Sequence, residues 1–356
     1  MKIALTCSIK KKDKASDKPP DYYSEFDSEE TVLSIAAAIK NLGHEVVLVE
    51  ANNPKQFLSF FQNNSVDFVF NIAEGSDSKF RESEVPALLD FFRIPYTGSG
   101  PFALALALDK AMAKRVFMAE NIPTPRFQIF DSLHTSLNPK LKFPLIVKPN
   151  CEGSGKGISV SSVVYTKEDL RRQIERTLET YKHEALVEEF IEGKEITVGV
   201  LGNAKAIALP ILEVDFSNCH ASGEFFYSWK MKEFQGNKEM GCVPHFYCPA
   251  RLSEETTDTI KEVALRAHKA LGCYDISRTD IRLSHDNIPY VLEVNPLPGL
   301  DPKESNFPVM SRAAGMGYPD LIKTVLHGAL ERYGLKKDVC SVDYAEQRGI
   351  LRKTTP

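Results

Sequence analysis

No apolar run in this sequence approaches the roughly 20 residues that a bilayer-spanning helix requires, so no membrane partner is read from it. An excess of charge of one sign is also missing. The formal net charge is −4 and the pI is near 6.1, so no global field draws in nucleic acid or an anionic membrane. The densest basic cluster, Lys10-Lys11-Lys12-Asp13-Lys14, lies in a polar stretch and reads as a solvated surface turn. "IALTCSI" is too short for the apolar core and cleavage site of a signal peptide and instead predicts a first β-strand. A disulfide framework is lacking. Cys7, Cys151, Cys219, Cys242, Cys248, Cys273 and Cys340 are odd in number and without framework spacing, which implies reduced thiols in a cytoplasmic protein. "CVPHFYC" groups Cys242, His245 and Cys248 without the fourth ligand that structural zinc needs, so these read as strand or loop residues. No internal repeat is found.

What is present is enough for two or three modest cores, with 356 residues and 43% of them hydrophobic. The first hundred residues alternate strand and helix: "KIALTCSI", "EETVLSIAAAIKNLG" ending on Gly43, "HEVVLVEA", "PKQFLSFFQNN", "VDFVFNIA" and "SEVPALLDFFR". This order predicts a parallel, doubly wound sheet with ligand loops at the carboxyl ends of its strands. The first connection, "KKKDKASDKPPDYYSEFDSEE", far exceeds the usual roughly 2–6 residues, and Tyr22, Tyr23 and Phe26 make it a candidate lid. Further on, "FALALALDKAMAKRVFMAEN" predicts one helix closed by "IPTP". "RFQIF", "FPLIVKP", "GISVSSV", "ALVEEFI", "KEITVGVLG" and "AIALPILEV" predict strands, and "KEDLRRQIERTLETY" an amphipathic helix. The remainder holds a polar aromatic loop from Ser217 to Val243, a helix, a strand pair, a last helix and a tail with little helical period.

Chemistry concentrates in two places. The first is "VKPNCEGSGKGISV", from Val147 to Val160. It is not a P-loop, because Asn150 stands where the first glycine belongs and Gly157 follows Lys156 where Ser or Thr should bind Mg²⁺. It is not a dinucleotide fingerprint either, because Gly153, Gly155 and Gly157 run into a β-like segment rather than a helix. A strand–loop–strand remains. Its glycines would let backbone amides approach phosphates, with Lys148 before the turn as a charge; an ordinary glycine hairpin reads equally well from the motif alone. Lys156 reads as an accessory or exposed charge.

The second is "SRTDIRLSHDNIPYVLEVNPLPG". Arg278 and Asp280 are two apart and share a strand face, as do Glu293 and Asn295. Glu293 and Asn295 interleave with Leu292, Val294 and Pro296, so they face away from the apolar side. Pairing the strands would join two carboxylates and an amide oxygen beside a guanidinium, a hard-oxygen Mg²⁺ site able to hold nucleotide phosphates. An exposed, salt-bridged hairpin face is the alternative. The backbone of Gly299 falls close by as a candidate oxyanion donor.

In order, "IPYTGSG", "LALDKAMAK", "IPTPRF", "PLIVKPNCEGSGKGISV", "LVEEFIEGKEITVGVLG", "FYCPA", "RTDIRL", "LEVNPLPGL" and "AAGMGYPDLI" resemble the D-alanine–D-alanine ligase branch of the ATP-grasp superfamily. The match runs over roughly residues 90 to 330 and more loosely upstream. The resemblance implies an α/β, ATP-grasp fold: an N-terminal parallel-sheet domain (1–105), a central subdomain with the phosphate loop (106–185), a C-terminal subdomain with the Mg²⁺ site (186–335) and a tail (336–356). It also implies a ligase that uses ATP to join a carboxylate to an amine through an acyl phosphate, with two Mg²⁺ ions (Mn²⁺ as substitute) and small amino-acid or peptide substrates. A homodimer follows by analogy. Lys110 and Lys148 resemble the two phosphate lysines, with Gly153 and Gly155 in the phosphate loop. Glu188 resembles the adenine acceptor, with Glu189, Phe190 and Ile191 at the hinge beside the base, and Glu195 the ribose acceptor. Asp280, Glu293 and Asn295 resemble the metal ligands. Arg278 and the Gly299 backbone resemble the stabilisers of transferred charge, and Ser154 the serine near the first substrate. Lys230 or Lys232 could reach the phosphate from the polar loop.

The substrate positions depart from that pattern. The usual glycine-rich turn with its glutamate and serine is replaced by "TCSIKKKDKASDKPPDYYSEF", leaving Tyr23 and Glu25 as substrate candidates. "NIAEGSDSKFRES" replaces the usual histidine–glycine run, and Gly155 replaces a serine. Glu304, followed by Ser305, stands where a serine near the second carboxylate is expected. Substrates other than two D-alanines are therefore expected, with true D-alanine–D-alanine ligation and an ATP-dependent phosphotransferase as alternatives.

Overall fold

The computed structural model describes residues 1–10, 19–219, 226, 228–229, 231 and 243–335. Lys230, Lys232, the basic cluster beyond Lys10, Cys242, Cys340 and the tail at 336–356 lie outside the described residues.

Three strands, β1 (Lys2–Cys7), β2 (Glu45–Glu50) and β3 (Phe68–Ile72), form a parallel sheet in the order β2-β1-β3. β1 and β3 are buried on both faces because helices cover both sides. Helix α1 (Glu29–Asn41) is capped by Ser28, whose hydroxyl accepts from the Thr31 amide, and it buries Val32, Ile35, Ala36 and Ile39. It ends, as the sequence predicts, at Gly43 with φ +84°. Helices α2 (Pro54–Asn63) and α3 (Arg81–Phe92) complete this unit. The carboxyl ends of β1 and β3 lead into the loops that bear Glu25, Asp27 and Glu74, where a doubly wound sheet places its ligand loops.

Helices α4 (Pro101–Leu108) and α5 (Lys110–Ala119) replace the one continuous helix predicted here. Asp109 breaks it: with ψ 92° it leaves the helical region, and its carboxylate caps α5 by accepting from the Met112 amide.

The second sheet orders β4 (Phe127–Phe130), β7 (Ala185–Glu189), β5 (Leu145–Pro149) and β6 (Val163–Val164), all antiparallel, with α6 (Lys167–Tyr181) packed on one face. Leu145, Val147, Ala185 and Val187 point at α6 with Leu170 and Ile174. Ile146, Lys148 and Glu188 therefore occupy the other face. Two expectations change here. The predicted strand at Gly157–Val163 is mostly a turn and a short 3₁₀ helix, Val160–Ser162, begun by a reciprocal Ser159–Ser162 capping box. The expected boundary at 185/186 cuts β7, whose partners are β4 and β5, so this sheet runs through Glu189.

The third sheet orders β11 (His245–Tyr247), β10 (Leu212–Asp215), β8 (Gly193–Leu201), β12 (Ile276–Ser284) and β13 (Pro289–Asn295), with β9 (Ile207–Ala208) also paired to β8. The predicted strand over Ala206–Val214 is split between β9 and β10 around Pro210, which has no amide to donate to a ladder. Helix α7 (Glu254–Ala270) covers one face. Helices α8 (Asn306–Ala313) and α9 (Tyr318–Arg332) follow, and Leu321, Val325 and Leu326 of α9 share a core with Ile3, Leu5 and Ile35 of the first unit. Asp275 fastens the same junction, accepting from the Gly98 amide at 2.8 Å and from Arg332 at 2.9 Å.

Candidate active site

The three sheets meet at a cleft of about 400 Å³. Its second-sheet wall carries Lys148 and Glu188 as diagonal neighbours across β5 and β7, and they form a buried ion pair. Lys114, fully buried on α5, completes the triad at 2.8 Å from the Glu188 carboxylate and donates to Thr124 at 2.9 Å. Burial alone would raise the Glu188 carboxyl, but Lys114 and Lys148 outweigh it and hold Glu188 below its ordinary range. Lys114 escaped the sequence reading, although a signal existed. It lies four residues after Lys110 on one helix, so both point the same way.

Lys110 reaches across to the third sheet, 2.9 Å from Glu293. Burial would lower its ammonium, yet Glu293 outweighs that and raises it. On β12 and β13, Asp280 stands opposite Glu293 and Arg278 opposite Asn295, so the two strands pair and bring these residues together. Arg278 grips both oxygens of Asp280, at 3.1 and 2.8 Å, and Thr197 donates to Asp280 at 3.0 Å. Asn295 accepts from the Leu297 amide at 2.8 Å. The alternation fails at one point. A bulge between Asp280 and Ile281 pairs Ile281 with Val291, and Leu292, expected on the apolar side, lines the cleft beside Glu293. Among the described residues no group of three His, Cys, Asp or Glu is placed to hold a metal, so the oxygen face is two carboxylates plus an amide.

Glu189, Phe190, Ile191 and Glu195 line the segment joining the second and third sheets. Arg282 organises it, donating to the Ile191 and Gly193 carbonyls at 3.0 Å, with its charge 5.3 Å from the centre of the Phe190 ring. The outer oxygen of Glu189 accepts from the Lys142 amide at 3.1 Å.

The glycine loop differs from expectation. Ser154 and Gly155 line the cleft, but Gly153 does not. The Gly153 amide donates to Glu25 at 2.8 Å, and the Gly157 amide to Asp21 at 3.0 Å. A Cβ on Gly153 would lie 2.4 Å from the Glu25 carboxylate, so this glycine admits a carboxylate from another part of the chain. Lys156 is not an exposed charge; it is buried, 2.6 Å from Glu25 and 3.1 Å from Glu152. Glu25 lines the cleft with both oxygens occupied by Arg81, Lys156 and the Gly153 amide. Burial would raise its carboxyl, but Arg81 and Lys156 bring it down to about 2. Tyr23 is not on the cleft wall; it packs on Tyr22 and Phe26 at 4.8 and 5.4 Å between ring centres, and of the three only Phe26 lines the cleft.

Opposite the lysines, the cleft is acidic. Glu304 and Ser305 line it with Gly299, joined by Asp27, Glu74 and Asp301, which the sequence reading missed. Burial first and Asp301 second push Asp27 up to about 7. Burial and the charges of Glu82, Glu25 and Asp27 raise Glu74 as well. Asp301 stays low because the Glu304 and Lys303 amides and the Thr31 hydroxyl offset its burial.

The family model described as "D-ala D-ala ligase C-terminus" matches residues 116–327. The D-alanine–D-alanine ligase of Carboxydothermus hydrogenoformans is 33% identical over 307 residues, covering 84% of this chain and 92% of the relative. That of Halalkalibacterium halodurans is 35% identical over 305 residues, covering 84% and 92%. The solved structure of D-alanine–D-alanine ligase from Bacillus anthracis superposes with a TM-score of 0.72 at 25% identity, covering 94% of this chain and 99% of that one. The chain belongs to the D-alanine–D-alanine ligase family, ATP-dependent ligases of the ATP-grasp fold.

Proposed function

We propose that the protein uses ATP and Mg²⁺ to join a carboxylate to an amine, and that the amine substrate carries positive charge beyond that of D-alanine. The observation that carries the first half is one cleft holding Lys110 and Lys148 against the Asp280, Glu293, Asn295 and Arg278 face. The fit to a divalent cation rests on donor chemistry. The face offers hard oxygens from two carboxylates and an amide, and a lysine ammonium already sits 2.9 Å from Glu293. Asp280, Glu293 and Asn295 would hold the ions, two Mg²⁺ or Mn²⁺ in their place, whose chemistry is to neutralise phosphate charge. Phe190 and Ile191 flank the adenine, Glu188 and Glu189 border it, and Glu195 takes the ribose. Lys110, Lys148 and the Ser154 and Gly155 backbone bind phosphates, and Arg278 and the Gly299 backbone offset charge that grows during transfer. Ser154 also stands near the first substrate. Lys230 and Lys232 keep their proposed reach to the phosphate, although they lie outside the described residues.

The second half is supported by the acidic end. Asp27, Glu74 and Glu304 face the cleft; burial and neighbouring carboxylates raise Asp27 and Glu74, the latter in spite of the opposing charge of Arg81. A substrate ammonium would offset that local excess of carboxylates. Ser305 borders the same position. The proposal keeps three units, with the second extended through Glu189; each sheet lies within one of them. It also keeps the cytoplasmic location and homodimer implied by family analogy. The free thiols of Cys7, Cys151, Cys219, Cys248 and Cys273 support the location. Among the described residues no helix is long and apolar enough to cross a membrane.

The test is a screen of amino-acid and dipeptide pairs, D and L, with phosphate release and product mass both recorded. ADP and phosphate are expected only when acid and amine are both present, with diamino acids or other cationic amines preferred. A product confined to D-alanyl-D-alanine would return the substrate to the one named for the relatives. A stable phosphorylated acid formed without an amine would make the protein a phosphotransferase. Glu304→Ser is expected to shift preference toward D-alanine; no gain on D-alanine would count against the altered substrate.

A further inference from the structure

Arg81 does not line the cleft, yet its whole guanidinium is engaged beside it. It stands at the first position of α3 with 4% of its side chain exposed. Its Nε and Nη2 donate to the two oxygens of Glu25 at 3.1 and 2.6 Å, and Nη1 donates to the Cys151 carbonyl at 2.8 Å. Glu152 lies 3.4 Å from Nη2. Glu25 in turn accepts from the Gly153 amide and from Lys156. Two residues of the first unit thus hold the loop after β5 at a carbonyl, an amide and a lysine. Asp21 holds its far end through the Gly157 amide. Between these fixed points Glu152, Ser154 and Gly155 reach the cleft, and Ser154 sits at φ +51°, a conformation that a side-chain-bearing residue keeps only when its surroundings impose it.

We propose that Arg81, acting through Glu25, is a positioning residue for ATP: it sets the loop so that Ser154 and Gly155 face the nucleotide. This rests on the ligase reading only for where ATP binds. The planar guanidinium matters because it grips a carboxylate with two donors and a carbonyl with a third, and a lysine cannot reproduce that fork.

The probe is MgATP on the full chain, read by calorimetric affinity and by hydrogen exchange of the segment at 151–158. Arg81→Ala should weaken MgATP binding about tenfold, the order of one lost hydrogen-bonding group, and speed loop exchange without speeding that of β12 and β13. Arg81→Lys should recover part of both. Because Arg81→Ala leaves Glu25 buried without its main partner, the double variant Glu25→Gln/Arg81→Met, which removes both charges, is measured beside it. It should show the same loosened loop. Lys79→Ala, which removes a half-exposed 3.5 Å pair with Glu184 and a 5.9 Å approach to the Phe80 ring, should change neither readout. Wild-type affinity and loop exchange in a folded Arg81→Ala or double variant would overturn the proposal, as would a wild-type chain that binds no MgATP. If MgATP binds and the loop responds as described but no acid–amine pair yields an amide, the proposal stands and the ligase reading fails.

Discussion

The hairpin of β12 and β13 and the loop from Asn150 to Gly157 both bring charge to the cleft, by opposite routes. In the hairpin the strand register decides which residues stand opposite one another: Asp280 opposite Glu293, Arg278 opposite Asn295. In the loop the partners come from far along the chain, with Glu25 128 positions from Gly153 and Asp21 136 from Gly157. Local pairing is fixed by register, so it survives so long as the strands pair. Distant pairing is fixed only when the first unit has docked. The difference separates residues placed by strand register from residues placed only by assembly.

The largest expected effect breaks the symmetry between the two loop lysines. Lys148→Ala should cut ATP turnover by about 10²–10³-fold, the scale of losing one preorganised charge at a reacting phosphate. Lys156→Ala should act mainly on stability, because it strips a partner from the buried Glu25 carboxylate and from partly buried Glu152. Steady-state kinetics beside thermal melts reads the ranking, and a larger kinetic loss at Lys156 would invert it. Next, Gly153→Ala forces a methyl group against the Glu25 carboxylate and should destabilise the chain by roughly 1–3 kcal/mol, seen as a lowered melting temperature. An unchanged melt would mean that Glu25 moves freely and does not hold the loop. The narrowest effect, confined to acid, falls on Glu25. Glu25 is held at about 2 when folded, against an ordinary 4.5, so its contribution is complete above about pH 4.5 and drains away as pH falls toward 2. Glu25→Gln should flatten the stability profile across that window and leave its shape above pH 5 unaltered, as denaturation at stepped pH will show.

The same contrast explains what could be read from the sequence. The hairpin was legible because period-two alternation assigns faces without knowledge of the rest of the chain. Only the bulge at Leu292 was hidden, since no residue type there announces it. The parallel sheet was legible from its strand–helix order, and the loops at its carboxyl ends could have pointed to Asp27 and Glu74. The glycine loop was legible as a motif but not in its contacts. Its glycines invited a phosphate reading, whereas two of its amides are taken by carboxylates that no local pattern could pair with it. Arg81 was invisible for the same reason: at the start of an ordinary helix, a buried arginine and a surface one read alike.

Asn150 has a consequence of another kind. Its carbonyl accepts from the Lys110 amide at 3.3 Å, its side-chain oxygen from the Ala111 amide at 3.0 Å, and its side-chain nitrogen donates to Asp109 at 2.9 Å. The start of α5 is thereby stapled to the end of β5, and Lys110 is registered against Lys148 through the backbone carbonyl and side-chain amide of one residue. The excursion at 131–140 packs Leu133 and Leu137 on the core of the second sheet but leaves Pro139 and Lys140 exposed, so a reporter or affinity handle grafted at those two positions should ride on the molecule without disturbing the lysines.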